Sequence, residues 1–210
     1  MKINNKYSIN YIDQINKGLN TSEFRINNNL IDMDAFFKNL ITKTNEVSEN
    51  KGRIFFFGNG ASASFSNHMA LDWSKNGGIV SFCLSDSSML TALANDFTYE
   101  TSFVEFMKIN NPTINDLVVT TSSSGNSKNI VNILKFCKAN NLTSVALSGL
   151  NTPNHSVNLC NFSIHVHMKT YGMVECIHQI FHHLWLDGYM GIEEWNKTES
   201  QNMDSKNFKL

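Results

Sequence analysis

Six consecutive residues, Ser122-Ser123-Ser124-Gly125-Asn126-Ser127, follow directly on the apolar, β-branched run Leu117–Thr121. Four hydroxyls, an amide and a glycine at the entrance to a helix are suited to an oxyanion. The free N–H groups of a helix start carry partial positive charge. Serine hydroxyls rotate to donate to phosphate oxygens. Gly125 permits positive φ or close backbone approach. No lysine is required. A serine turn alone serves equally well as a helix cap, with Ser127 capping. A second turn of the same character, Gly58-Asn59-Gly60-Ala61-Ser62, ends the run Arg53–Phe57. Two such turns can face each other across one crevice, and together they favour a phosphate-bearing ligand over two unrelated caps.

The elements that must position these turns are legible as a pattern. Five short apolar runs, 53–57, 79–84, 117–121, 143–147 and 162–166, read as buried strands. Helical stretches separate them, at about 62–75, 87–109, 127–140 and 173–192. Alternation of this kind implies a parallel sheet with right-handed crossovers, hence a doubly wound three-layer α/β/α sandwich. Its ligands sit at the carboxyl ends of strands, where the strand order reverses. Both prolines, Pro112 and Pro153, fall between elements. Before residue 51, Ile9, Ile12, Ile15 and Leu19 recur at helical spacing, as do Met33, Phe36, Phe37, Leu40 and Ile41 after a capping Asp32. Each stripe is narrow, so residues 1–50 are expected to form a helical extension packing on the core or a neighbouring subunit. Residues 51–193 form the domain, and 194–210 a loose polar tail.

Composition excludes several classes. The 210 residues, 41% hydrophobic, support one sizeable core. Seventeen basic against 18 acidic residues give a net charge of -1, with no basic stripe for nucleic acid. No apolar run approaches membrane-spanning length, and the first residues lack a signal-peptide core. Cys83, Cys137, Cys160 and Cys176 show no clamp or redox spacing, which predicts reduced thiols in a cytoplasmic protein.

The order and spacing of Gly58-Asn59-Gly60-Ala61-Ser62, His68, Leu90-Thr91-Ala92-Leu93-Ala94-Asn95-Asp96, Ser122–Ser127 and Val145-Ala146-Leu147-Ser148-Gly149 resemble the sugar isomerase (SIS) domain. More narrowly, the chain resembles the phosphoheptose isomerases, over roughly residues 30 to 192. The serine turn identifies only the wider domain; its combination with the GNG turn, His68 and Asn95-Asp96 is more specific. The resemblance implies a flavodoxin-like five-stranded parallel sheet and a homotetramer with active sites between subunits. It implies a phosphate held by Ser122, Ser123, Ser124 and Ser127, and a sugar contacted by Asn59, Gly60, Ala61, Ser62, Asn95 and Asp96. The reaction implied is aldose–ketose isomerisation of sedoheptulose 7-phosphate to D-glycero-D-manno-heptose 7-phosphate through an enediolate, in the synthesis of lipopolysaccharide or capsule precursors.

That reaction needs a base to carry a proton between adjacent carbons, and an acid or a metal to polarise the carbonyl oxygen. The family uses zinc held by two helices. One gives His and a carboxylate four residues later, the other Gln and a His eight residues later. Here the matching positions are His68 and Asp72, then Glu175 and His183, a set able to hold zinc or another divalent cation. Asp72 or Glu175 would be the base, and His183 or His178 the acid. Three departures stand out: Asp72 is one methylene shorter than the family Glu, Glu175 replaces the neutral amide, and Gly172 replaces an Asp. These departures support a second reading, a SIS domain that binds a sugar phosphate without chemistry. A third reading is an isomerase or epimerase of a different sugar phosphate. His182 is expected to pack, and His155, His165 and His167 to lie at the surface or at strand ends.

Overall fold

The computed structural model describes residues 6–150 and 154–193. The expected tail and Pro153 lie outside the described residues. The elements are α1 (Tyr7–Thr21), β1 (Glu23–Ile26), β2 (Asn29–Ile31), α2 (Met33–Glu49), β3 (Ile54–Gly58), α3 (Ala61–Lys75), β4 (Ser81–Cys83), α4 (Ser87–Asp96), α5 (Ser102–Ile109), β5 (Leu117–Ser122), α6 (Lys128–Ala139), β6 (Thr143–Gly149), α7 (His155–Leu159), β7 (Phe162–Val166) and α8 (Tyr171–Met190).

The sheet runs in the order β2-β1-β7-β6-β5-β3-β4. The five expected strands, β3 to β7, are all parallel to their neighbours. The sheet is larger than expected by two strands. Between its two helices the N-terminal extension folds a hairpin, and β1 pairs antiparallel with β7. The hairpin turns on Asn27 and Asn28, both at positive φ (48° and 68°), a conformation asparagine tolerates and tight hairpins require. Strands of three and four residues with mixed polarity give little periodic signal, and this hid them in the sequence. Their effect is to cover the β7 edge, which would otherwise present unpaired backbone groups.

Side chains along the strands alternate between two apolar clusters, one on each sheet face. Ile54 and Phe56 enter the cluster built with α2, α3 and α8. Phe55 and Phe57 enter the cluster built with α5 and α6. All four are essentially inaccessible to solvent. The expected helix over 87–109 is two helices. Asp86 caps α4 through its carboxylate, and the chain breaks at Phe97–Thr101 before α5 begins. That break has a function in the site, because it carries Tyr99.

The sheet reverses its winding between β3 and β5. From β3 the chain proceeds outward to β4, and from β5 it proceeds the other way to β6 and β7. Gly58 and Thr121 are register partners at the carboxyl ends of these neighbouring strands. The GNG turn and the serine turn therefore leave the sheet side by side at the switch point, where doubly wound folds bind ligands.

Candidate active site

The serine turn closes on itself. The Gly125 N–H donates to the Ser122 carbonyl at 2.9 Å and to the Ser122 hydroxyl at 3.2 Å. Gly125 has φ +62°, and a Cβ there would meet the Asn154 side chain at about 2 Å, so glycine is required twice over. Asn154 belongs to a short brace in which the Ser156 N–H and hydroxyl both donate to the Gly125 carbonyl. Ser127 occupies the cap position of α6 but makes no side-chain cap bond. Ser127 helps to line a small cavity of about 110 Å³, together with Asn59, Ser62, Thr121, Ser122, Ser123, Ser124, Tyr171 and Glu175. The Ser123 hydroxyl is buried and has no hydrogen-bond partner among the described residues. A buried hydroxyl without a partner costs stability, and an incoming oxyanion would supply the acceptor.

The GNG turn is held to this cavity by side chains that the sequence did not single out. Asn59 and Asn129, in the first turn of α6, exchange amide hydrogen bonds at 3.0 and 2.8 Å. The Tyr99 hydroxyl donates to Asn59 Oδ1 at 2.8 Å. Gly60 caps α3 at φ +57°, a conformation that suits glycine. Of the six residues expected to contact the sugar, Asn59 and Ser62 line the cavity, whereas Gly60, Ala61, Asn95 and Asp96 do not. Asn95 and Asp96 end α4, bonded to each other at 3.0 Å.

The second group stands on α3 and α8, which run side by side away from the switch point. His68 Nε2 lies 3.2 Å from Asp72 Oδ2 on α3. The His68 and His183 rings meet edge to face, 5.2 Å between centroids. One ligand atom each from His68, Asp72 and His183 falls within 4.8 Å of the others. Two imidazoles and a carboxylate are a donor set that fits zinc or a similar divalent cation. Glu175 is not part of this group. Glu175 lines the serine cavity instead.

His178 does not join the group either. It is fully buried, and its Nε2–H donates to the Ser148 carbonyl at 3.0 Å. Burial holds its pKa down at about 4, so it is not placed to serve as an acid. His182 packs as expected, bonded at 2.9 Å to the Thr121 hydroxyl, its pKa pushed down to about 3 by burial. His165 stands near the end of β7, as one alternative expected, but it is buried there, 3.2 Å from the Ser148 hydroxyl, with its pKa lowered to about 4 by desolvation. Gln179, absent from the sequence expectations, places its amide nitrogen 2.8 Å from His183 Nε2. The only signal for it in the sequence was its spacing, one helical turn before His183.

A phosphate-sized cavity at the switch point of a doubly wound sheet, framed by a GNG turn and a serine turn, defines a SIS-type sugar-isomerase domain. No protein-family model matches the chain. It is 33% identical over 149 residues to a phosphoheptose isomerase of Aneurinibacillus thermoaerophilus, covering 68% of this chain and 74% of that protein. It is 31% identical over 157 residues to phosphoheptose isomerase 2 of Campylobacter jejuni, covering 71% and 77% respectively. The fold of the phosphoheptose isomerase from Neisseria gonorrhoeae superposes with a TM-score of 0.72 at 21% identity, over 88% of this chain and 93% of that one. The chain belongs to the phosphoheptose isomerase family.

Proposed function

We propose that this protein interconverts sedoheptulose 7-phosphate and D-glycero-D-manno-heptose 7-phosphate. The observation that carries the reading is the arrangement of the two groups on one seam. The serine cavity and the His68–Asp72–His183 group lie along α3 and α8, about two helical turns apart. A ligand with a phosphate at one end and a carbonyl several carbons away fits that division.

Ser123, Ser124, Ser127 and the start of α6 bind the phosphate and fix the substrate's direction. Asn59 and Ser62 meet the sugar chain next to it. Asp72 is the base best placed for the far end. It takes the proton from one carbon of the C1–C2 pair and returns it to the other. Glu175, nearer the phosphate, is the alternative base. His183 moves a proton between the two oxygens as the carbonyl changes place. A divalent cation held by His68, Asp72 and His183 would supply polarisation of those oxygens.

We further read the assembly as a homotetramer with its sites at subunit interfaces. An apolar groove of about 780 Å³, walled by Phe65, Ile180 and Leu184, opens beside His183. Ile180 and Leu184 are exposed there, a surface that suits a second copy. No described helix is long and apolar enough to cross a membrane.

The test is conversion of sedoheptulose 7-phosphate to the aldose, followed by NMR, with and without added zinc. Turnover is expected. Thermal stabilisation by the sugar phosphate without turnover in either condition would replace this reading with a non-catalytic binder.

A further inference from the structure

We propose that Tyr99 is a positioning residue for the sugar-phosphate site: its hydroxyl holds the Asn59 amide and leaves it a single N–H to offer a ligand. The inference rests on the proposed sugar-phosphate isomerase and deepens it. It concerns the group that places Asn59 and the kind of ligand atom Asn59 can meet.

The hydrogen-bonding capacity of the Asn59 amide is almost used up within the protein. A carboxamide oxygen accepts two bonds and its nitrogen donates two. Asn59 Oδ1 accepts from Asn129 Nδ2 and from the Tyr99 hydroxyl, both at 2.8 Å. Asn59 Nδ2 donates to Asn129 Oδ1 at 3.0 Å. Asn129 Oδ1 also accepts the Ile130 backbone N–H at 3.0 Å. That donor cannot reverse its role, and it sets the sense of the whole amide pair. One hydrogen on Asn59 Nδ2 remains for a ligand. Asn59 lines the serine cavity, so the atom it meets there must be an acceptor: a phosphate oxygen, the ester oxygen or a sugar hydroxyl oxygen. Without the Tyr99 hydroxyl, the second lone pair of Oδ1 opens to water or to a substrate hydroxyl, and the amide loses one of its two anchors.

Tyr99 does not itself line the serine cavity, so it acts through Asn59. It reaches Asn59 because the chain between α4 and α5 is pinned. The buried Ser102 hydroxyl donates to the Tyr99 carbonyl at 2.9 Å. The Thr98 and Thr101 hydroxyls stand 2.9 Å apart. On the next residue, the Glu100 carbonyl accepts from Asn132 Nδ2 at 2.9 Å, and the Glu100 carboxylate pairs with Lys128 Nζ at 2.6 Å. Both partners belong to α6, the helix that carries Asn129. The tyrosine and the asparagine pair are thereby fixed to one element. Tyr99 is 49% exposed, so its hydroxyl can exchange Asn59 for water at little cost. The bond therefore adds little to stability. Its effect is on where the amide stands, and misplacement of a binding group is felt by the ligand.

The test is a double-mutant cycle on the purified full-length chain with sedoheptulose 7-phosphate. KM and kcat are read from turnover followed by NMR, Kd by calorimetry, and the melting temperature is taken for each variant. Tyr99→Phe removes one oxygen and keeps the ring. It is expected to raise KM and Kd about three- to tenfold, the order for one neutral hydrogen bond. The kcat should be unchanged, as when binding alone is lost, and so should the melting temperature. Asn59→Ala is expected to raise KM and Kd further. Tyr99→Phe added to Asn59→Ala should have no additional effect, because residues that act through one another are not additive. Wild-type KM and Kd in Tyr99→Phe overturn the inference. So does the same fold-change in both backgrounds, which would mean that Tyr99 acts independently of Asn59. A fall in melting temperature and kcat alongside the rise in KM also overturns it, and would make the tyrosine a structural support. Where Asn59→Ala does not fold, the split between KM and melting temperature in Tyr99→Phe decides alone. Binding that responds to Tyr99→Phe without any turnover defeats the isomerase reading alone. Turnover with KM and Kd unmoved by Tyr99→Phe defeats the positioning role alone, and a wild type that neither binds nor converts the sugar phosphate defeats both.

Discussion

The two ends of the α3–α8 seam are built on different principles. The phosphate end is made of backbone and hydroxyls, at the tips of two central strands of the sheet, and its parts are braced. Ser122 bonds back to Gly125, Ser156 holds the Gly125 carbonyl, and Asn59 is paired with Asn129 and Tyr99. The reaction end is made of side chains on two helices. His68 is half exposed, with 48% of its side chain accessible, and lies beside an open apolar groove. One end is braced by hydrogen bonds within the chain, and the other borders an apolar groove. An anion site can tolerate substitution of one donor among several, whereas proton transfer depends on individual atoms.

The largest expected effect tests the reaction end. Asp72→Asn should lower kcat for sedoheptulose 7-phosphate about 10²–10⁴-fold, the range for loss of a positioned acid–base group, with KM changing much less. A comparable rise in KM with kcat intact would place Asp72 in binding and collapse the contrast between the ends.

Acid should act where the two ends are joined. His178 and His182 on α8, and His165 on β7, are buried beneath the serine-bearing strands, with pKa values lowered to about 4, 3 and 4. In the unfolded chain they titrate near 6.5. Below that pH the unfolded state binds protons that the folded state refuses, so stability is full above about pH 6.5 and falls towards pH 4. Asp116 and Glu23, whose pKa values are lowered by Arg53 and Arg25 among other contacts, add their own loss only at lower pH. Urea midpoints should therefore fall by several kcal/mol equivalent between pH 7 and 5, at up to about 1.36 kcal/mol per pH unit per histidine. Midpoints that stay flat to pH 5 would mean that these histidines are accessible.

Gly125→Ala should cost about 1–3 kcal/mol through positive φ, with further loss from the contact with Asn154, read as a lower melting temperature. Unchanged melting would show the phosphate turn to be softer than its bracing indicates. The smallest effect is expected for Ser123→Ala. KM should rise about tenfold, as for one hydrogen bond to a charged group, with kcat held and the melting temperature unchanged or raised, since a buried hydroxyl without a partner is removed. A higher melting temperature with KM unchanged would make Ser123 a buried hydroxyl with no phosphate to meet.

The phosphate end was legible before the fold because each of its requirements is local. A strand end, a glycine at positive φ and hydroxyls in one turn are neighbours in sequence. Asn59, Ser62 and the serines were found in that way. Asn129 and Tyr99 were not, since their contacts with Asn59 span 70 and 40 residues. The reaction end was legible by halves. The i, i+4 pair His68–Asp72 lies on one helix and was readable as such. Its partner pair was not, because helical periodicity gives the face a residue occupies and not its distance along the axis. Glu175 and His183 share a face, yet the fold sends one to the serine cavity and the other to His68.

The sequence alone determined the layers, the five parallel strands, the two helices of the N-terminal extension and the serine turn that opens α6. These follow from periodicity and from turn chemistry, which act within a few residues. Tertiary structure alone decided that the extension adds a hairpin to the β7 edge, that His165 and His178 are buried, and that Gln179 stands beside His183. Each of these depends on which surfaces meet when α8 docks between α2 and α3, and that is set by packing across the whole chain.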